Sequence, residues 1–321
     1  MASDMLTVRV ARKTVEAEDI CAFELRPVDA ARLPAFTAGS HIEVQLPGGL
    51  TRQYSLCNDP RENERYLIGV LRDPASRGGS QAMHDRVAEG DRLQISAPKN
   101  RFALAAAPGA SLLLAGGIGV TPILCMAQAL SAAGAAFEMH YCARSRARAA
   151  FVDHIAAAPF AARVALHFDD EAAAQRLDLA GLLAQADPLT QLYVCGPKGF
   201  MDAVLDQARA LGWPPERLHH EFFAATAQDG DDDVGFELEL ASSGRVVQVA
   251  KGVTIVRALA DAGVEVLVSC EQGVCGTCLT RVLAGEPDHR DVYLTPAEQR
   301  SNDQMLLCCS RAKSARLVID L

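Results

Sequence analysis

The sequence has no excess of positive charge. Against 31 lysines and arginines stand 40 aspartates and glutamates, a net charge of −9 over 321 residues. Nucleic acid is therefore excluded as an expected partner. No apolar run approaches the roughly 20 residues that span a bilayer, so no membrane is expected either. The opening MASDMLTVRV lacks the long apolar core of a signal peptide, and a cytoplasmic location is the expectation. Internal repeats and low-complexity segments are absent. So is the Gly-x-Gly-x-x-Gly string of Rossmann dinucleotide sites. Among the eight histidines there is no Cys-x-His pair of a Rieske centre and no clear two-His-one-carboxylate set. The chain is not expected to activate oxygen itself.

Cysteine, by contrast, is plentiful. Ten is a high count for a reducing compartment, where a disulfide framework is disfavoured. Five are scattered singly, while Cys270, Cys275, Cys278, Cys308 and Cys309 crowd into the last 52 residues. Clustered cysteines of this kind bind metal or do redox chemistry. Cys270-x4-Cys275-x2-Cys278, followed after a gap of 29 residues by Cys308, has the plant-type [2Fe–2S] spacing. Two irons sharing two sulfides need four thiolates. A tight loop supplies three and a strand elsewhere the fourth. Gly273 and Gly276 let the loop's backbone wrap close and aim N–H groups at sulfur. Zinc or buried free thiols are the alternatives, since Cys275-x2-Cys278 alone suits zinc, and Cys309 rivals Cys308 as fourth ligand.

A single core rarely grows beyond about 250–300 residues, so more than one domain is expected. From Val8 to about Pro98, short alternating runs such as HIEVQLP, ERYLIGVLRD and RLQISAP are separated by turn residues. This predicts an antiparallel barrel over residues 1–105, with its one clear helix after Gly78-Gly79-Ser80. Over 106–224, strands (SLLLA, FEMHYCA, RVALHF, QLYVC) alternate with helical segments, which predicts a parallel α/β sheet. The helix TPILCMAQALSAAG is expected to have Thr121 as N-cap, Pro122 in its first turn and Gly134 past its end. Residues 225–234 are small, polar and acidic and read as a linker. In 235–321 a hairpin turning at Ser242-Ser243-Gly244 and a helix, TIVRALADAG, are expected.

Leu112 to Ile123 reads LLLAGGIGVTPI. A strand ends at Gly116-Gly117, turns through Gly119 and enters a helix at Thr121-Pro122, which suits a dinucleotide pyrophosphate. A plain tight turn is the alternative. Cys195-Gly196-Pro197 ends a later strand, where open α/β sheets bind ligands. Asp169 or Asp170 suits a ribose hydroxyl and repels a 2′-phosphate, and a solvated loop is the alternative. Arg144, Arg146 and Arg148 argue the other way. A nicotinamide donor gives two electrons as hydride and a [2Fe–2S] cluster accepts one, so a flavin must sit between them. Arg52-Gln53-Tyr54-Ser55-Leu56 on a barrel strand suits a flat ring with polar edges. Arg77-Gly78-Gly79-Ser80, starting a helix, suits its phosphate.

Arg52-x-Tyr54-Ser55-Leu56, Arg77-Gly78-Gly79-Ser80, Gly116-Gly117-Ile118-Gly119-Val120-Thr121-Pro122, Cys195-Gly196-Pro197, Glu221-x-Phe223 and the cysteine set together resemble the phthalate dioxygenase reductase family, with the vanillate demethylase reductases similar. The resemblance covers nearly the whole chain. It implies a flavin barrel, a ferredoxin–NADP reductase-like nucleotide domain and a C-terminal β-grasp ferredoxin-like domain. It implies FMN held by Arg52, Tyr54, Ser55, Leu56, Arg72, Gly79 and Ser80. It implies NADH at Gly116, Gly117, Gly119, Thr121, Pro122, Asp170, Cys195, Gly196 and Pro197, with Cys195 near the nicotinamide and Phe223 near the flavin ring. Ser55, Cys195 and Phe223 are then the residues nearest the chemistry. Cys270, Cys275, Cys278 and Cys308 are implied as cluster ligands. The implied partner is a terminal Rieske-type aromatic-ring oxygenase of the phthalate dioxygenase kind, with a vanillate O-demethylase or a carnitine-type monooxygenase as the alternative, and the reductase is expected to be a monomer.

Overall fold

In a computed structural model, residues 5–46, 49–74, 78–172, 175–223 and 233–321 are described. Arg77 and nearly all of the expected 225–234 linker lie outside them. The chain forms two compact units, Met1–Glu221 and Phe222–Leu321.

The first unit opens with an antiparallel sheet: β1 (Leu6–Ala17), β2 (Ile20–Pro27), β3 (Ser40–Gln45), β4 (Thr51–Ser55), β5 (Tyr66–Leu71), β6 (Arg92–Ile95) and β7 (Lys99–Asn100), with helix α1 (Gly79–Arg86) between β5 and β6. The order is β4-β3-β6-β1-β2-β5, with β7 on β3. The two ends of this path meet where Leu56 bridges Ile68, which curls the sheet into a barrel. Val8, Val10, Phe23, Leu25, Ile42, Ile68 and Ile95 fill its interior, fully buried. Strand alternation puts them there.

The parallel sheet follows: β8 (Ser111–Gly116), α2 (Val120–Ala132), β9 (Phe137–Ala143), α3 (Val152–Ala156), β10 (Val164–Phe168), α4 (Leu179–Gln185), β11 (Gln191–Cys195), α5 (Lys198–Ala210) and β12 (Leu218–Glu221). Its order is β10-β9-β8-β11-β12, every pair parallel. Central β8, SLLLAG, is buried throughout, as a strand covered by helices on both faces must be. The chain reverses direction across the sheet between β8 and β11. That switch point is where open α/β sheets leave a crevice at their carboxyl ends.

The second unit is a mixed sheet, β14-β13-β19-β15-β17, from β13 (Phe236–Leu240), β14 (Arg245–Val249), β15 (Leu279–Ala284), β17 (Gln304–Leu306) and β19 (Arg316–Ile319). β16 (Pro287–Asp288) pairs with β18 (Arg311–Ala312). Helices α6 (Ile255–Asp261) and α7 (Pro296–Ser301) complete the unit. Its core joins Phe236, Leu238, Ile255, Leu259, Leu307 and Leu317. The hairpin turns between Leu240 and Arg245, and Thr254 caps α6 by accepting from the Arg257 N–H at 3.2 Å.

Candidate functional site

Ser55 ends β4, and its hydroxyl donates to Glu221 Oε2 at 3.3 Å. Glu221 ends β12 and lies in register with Cys195 at the end of β11. Barrel edge and parallel sheet thus bring Ser55, Cys195 and Glu221 together. Part of Glu221 still reaches solvent, but protein packs round its carboxyl. Burial pushes that carboxyl up to about 7, against the Ser55 hydrogen bond and the positive charge of Arg101. Cys195 is fully buried, and burial, then the charge of Glu221, raise its thiol well above the ordinary range. It stands there as a neutral thiol and not as a nucleophile.

Glycine shapes the switch point. A Cβ on Gly119 would lie 2.3 Å from the Cys195 carbonyl oxygen, and one on Gly196 would lie 2.9 Å from Gly116 Cα. The two strand-end turns therefore pack backbone on backbone, with Gly117 at φ 51°. Thr121, expected to cap α2, lies inside its first turn. A short 3₁₀ turn, Gly117–Gly119, already leads the chain into the helix, so Gly119 takes the cap position without a side-chain bond. Thr121 Oγ1 instead donates to the Ile118 carbonyl at 3.0 Å. Pro122 is in the first turn, and Gly134 follows the helix at φ 66°. Pro197 caps α5 immediately after Gly196. Asp170 is exposed after β10, and its N–H donates to the Arg144 carbonyl at 3.2 Å. Arg148 is engaged with Glu18 at 3.2 Å and Asp19 at 3.5 Å.

Arg52 is 6% exposed and donates to the Thr51 carbonyl at 2.7 Å. Its stem crosses the start of α1 so closely that a Cβ on Gly79 would meet its Cγ and Nε at 2.6 Å. Gly78 enters the helix at φ 89°. Free N–H groups of a first turn under a buried guanidinium form an anion cradle, and these residues fit a flavin phosphate. Ser80 Oγ accepts the Asp73 N–H at 3.1 Å. Arg72 pairs with Asp85 of α1 at 3.0 Å on the surface. Tyr54 is half-buried, its phenol raised by burial, and Leu56 lies in the barrel core.

In the second unit Cys270, Cys275, Cys278 and Cys308 are all buried free thiols. They stand in two hydrogen-bonded pairs, Cys270 with Cys275 and Cys278 with Cys308. Donation from Cys270 holds the Cys275 thiol below its ordinary range. The Gln272 N–H reaches Cys270 Sγ at 3.3 Å, and the Thr277 N–H reaches Cys275 Sγ at 3.5 Å. Gly273 and Gly276, at φ 72° and 75°, give the loop these turns. Among the described residues no three His, Cys, Asp or Glu side chains gather round a single metal position. Two cysteine pairs with N–H donors to sulfur suit a two-iron cluster, which takes two thiolates per iron once the thiols are deprotonated. Cys309 is only half-buried, with Sγ 3.9 Å from Ser310 Oγ. Phe223 is half-buried, two residues past Glu221.

Glu221 was legible only as part of a motif. Its position at a strand end beside a Cys-Gly-Pro turn is the signal for a site carboxylate.

Two family models match. Residues 238–313 match a 2Fe-2S iron-sulfur cluster binding domain. Residues 95–218 match the N-terminal domain of dimethylamine monooxygenase subunit DmmA-like proteins. The chain is 53% identical to a vanillate O-demethylase oxidoreductase from Pseudomonas sp. strain HR199, over 99% of this chain and 100% of that one. It is 39% identical to phthalate dioxygenase reductase of Burkholderia cepacia, over 98% and 97%. A solved phthalate dioxygenase reductase, described as a modular structure for electron transfer from pyridine nucleotides to [2Fe–2S], superposes with a TM-score of 0.82 at 38% identity, covering 99% of this chain and 98% of that one. Among the described residues no helix is long and apolar enough to cross a membrane.

Proposed function

The chain belongs to the phthalate dioxygenase reductase family, and from that premise we propose that it moves electrons from NADH through FMN and a [2Fe–2S] cluster to the terminal component of a Rieske-type oxygenase. The convergence of Ser55, Cys195 and Glu221 at the sheet's switch point carries the reading. FMN, when bound, supplies the conversion of a two-electron hydride into single electrons that a cluster can accept.

The chain's own part is binding and positioning, which need no strong acid–base group. Arg52, Gly79 and Ser80 hold the FMN phosphate, with Arg72 joining only if it leaves Asp85. Tyr54, Ser55 and Leu56 border the ring, and Phe223 completes its surroundings. The Gly116, Gly117 and Gly119 turn, with Thr121 and Pro122, holds the NADH phosphates. Asp170 takes a ribose hydroxyl and disfavours NADPH. Cys195, Gly196 and Pro197 border the nicotinamide, where a neutral buried thiol excludes water without reacting. Cys270, Cys275, Cys278 and Cys308 ligate the cluster. These roles divide the chain into an FMN barrel (1–105), a nucleotide domain (106–224), a linker (225–234) and a ferredoxin domain (235–321). A cytoplasmic monomer completes the reading.

The relative at 53% identity, named for vanillate O-demethylation, favours an aromatic O-demethylase as the oxygenase served. A phthalate dioxygenase-like oxygenase is the second reading, supported by the relative at 39%. The visible spectrum of the pure protein before and after anaerobic NADH tests the scheme. A flavin band and an iron–sulfur shoulder, both bleached by NADH, are expected. A protein that stays colourless after reconstitution with flavin and iron overturns it.

A further inference from the structure

One histidine on the barrel has a ring nitrogen that the fold does not satisfy. His41, on β3, is 4% exposed, and its Nε2 is buried without a hydrogen-bond partner among the described residues. A buried polar atom left unpaired costs about 1–3 kcal/mol, so a fold that used this side chain only for packing would gain from an apolar one. Burial, then the nearby charge of Arg101, lower its pKa to about 4. The ring is therefore neutral at neutral pH and can donate or accept at Nε2.

Its position is specific. β3 and β4 are antiparallel, with His41 directly opposite Ser55. Directly opposed side chains share a face of the sheet, so the imidazole stands on the face from which Ser55 reaches Glu221. Arg101 acts on both ends of this group, lowering His41 and Glu221 alike. Lys99, opposite His41 on β7, is turned to Glu43 at 3.0 Å, and Gln53 also bonds Glu43, at 3.3 Å. Lys99, Glu43 and Gln53 thus have partners within the fold, and among the described residues His41 Nε2 has none.

We propose that His41 is a further binding residue of the flavin site, its Nε2 completing a hydrogen bond with the polar edge of the bound ring beside Ser55. The inference rests on reading the Ser55–Cys195–Glu221 convergence as a flavin site. A flavin ring edge alternates carbonyl oxygens with ring nitrogens, so a neutral imidazole matches it in either tautomer, where a charged side chain would match only part of it.

The test uses the full chain with its cluster built, stripped of flavin and titrated with FMN alone. Flavin fluorescence and the visible band are followed in wild type, His41→Leu and His41→Gln. Leucine keeps the bulk and removes the nitrogen, while glutamine restores an amide near Nε2. His41→Leu is expected to raise the FMN Kd about tenfold, equivalent to about 1.4 kcal/mol, and to shift the flavin band. His41→Gln is expected to recover to within about threefold of wild type. The far-ultraviolet circular dichroism and the thermal unfolding of the first unit report its folding in all three proteins. A wild-type Kd and band in His41→Leu, or equal losses in both variants with the first unit folded, overturns the role of His41 alone. A wild-type protein that takes up no FMN overturns the flavin reading of the site and the inference with it.

Discussion

The hydroxyl of Ser55 donates to the carboxylate of Glu221 at 3.3 Å, joining the fourth strand of the barrel to the last strand of the parallel sheet. The bond spans 166 residues of sequence, and it joins the two halves of the first unit where the site converges. Burial dominates the carboxyl and raises it from 4.5 to about 7. Below pH 4.5 folded and unfolded chains both hold the proton, and no penalty arises. As pH rises towards 7 the unfolded chain releases it and the folded one does not, so stability falls across that window, by about 3 kcal/mol at most. Glu221→Gln should flatten this fall, as measured by denaturant unfolding of the first unit at pH 5 and pH 8. A wild-type slope in the variant would place the titration elsewhere. Ser55→Ala removes the bond that lowers the carboxyl and should extend the upper end of the fall above 7.

The Arg52–Gly79 contact gives a second expectation. A Cβ at Gly79 would meet the Arg52 stem at 2.6 Å, and that stem lies over the helix start. Gly79→Val should displace the guanidinium and close the anion cradle. FMN affinity should fall at least tenfold, a loss of about 1.4 kcal/mol, while cluster absorbance stays unchanged. Unchanged FMN titration would mean that the phosphate binds elsewhere.

Much of this was readable from residues alone, for identifiable reasons. The all-apolar SLLLAG marks a central parallel strand because both its faces are covered. The cysteine spacing was legible because a cluster constrains a loop directly. Glu221 was less visible: what makes it a site carboxylate is the register with Cys195 and the reach of Ser55, both set by tertiary packing. His41 sat in the run HIEVQLP as one residue of an alternating strand, and nothing local said that its nitrogen would go unpaired. Thr121 was misplaced as a cap because a 3₁₀ turn of Gly117–Gly119 does the capping with backbone alone. Arg72, expected to help hold the flavin, pairs with Asp85 of α1, a contact that depends on the helix packing beside β5 and not on local sequence.

Cys308 and Cys309 are neighbours in sequence but not in environment. Cys308 is 2% exposed and paired with Cys278, whereas Cys309 is half-buried. Cys308→Ser should abolish the iron–sulfur shoulder or reduce iron to well below two per chain, the two-iron complement of such a cluster. Cys309→Ser should leave iron content and spectrum at the wild-type level. Loss of the cluster in Cys309→Ser alone would reverse the assignment of the fourth ligand.

Asp233 ties the start of the second unit to its core. Its carboxylate lies 2.6 Å from Arg290 and 3.1 Å from Arg311, and the Asp233 and Arg311 side chains are each 5% exposed. Burial alone would raise the carboxyl, but the Arg290 hydrogen bond and both guanidinium charges outweigh it and hold it below the ordinary range. Its contribution is therefore present at neutral pH and lost as pH falls through the carboxylate range. Arg311 also donates to the Val234 and Ala250 carbonyls at 3.1 Å each, so it cannot leave for solvent without breaking backbone contacts. Asp233→Ala thus strands a buried cation, and removing one partner of a buried pair costs about 3–5 kcal/mol. Arg290→Ala should cost less, because Arg290 is 15% exposed and its loss leaves Asp233 still paired with Arg311. Urea unfolding followed by cluster absorbance would rank the two. Equal losses would mean that Arg311 is held by its backbone carbonyls alone and that Asp233 adds little to it.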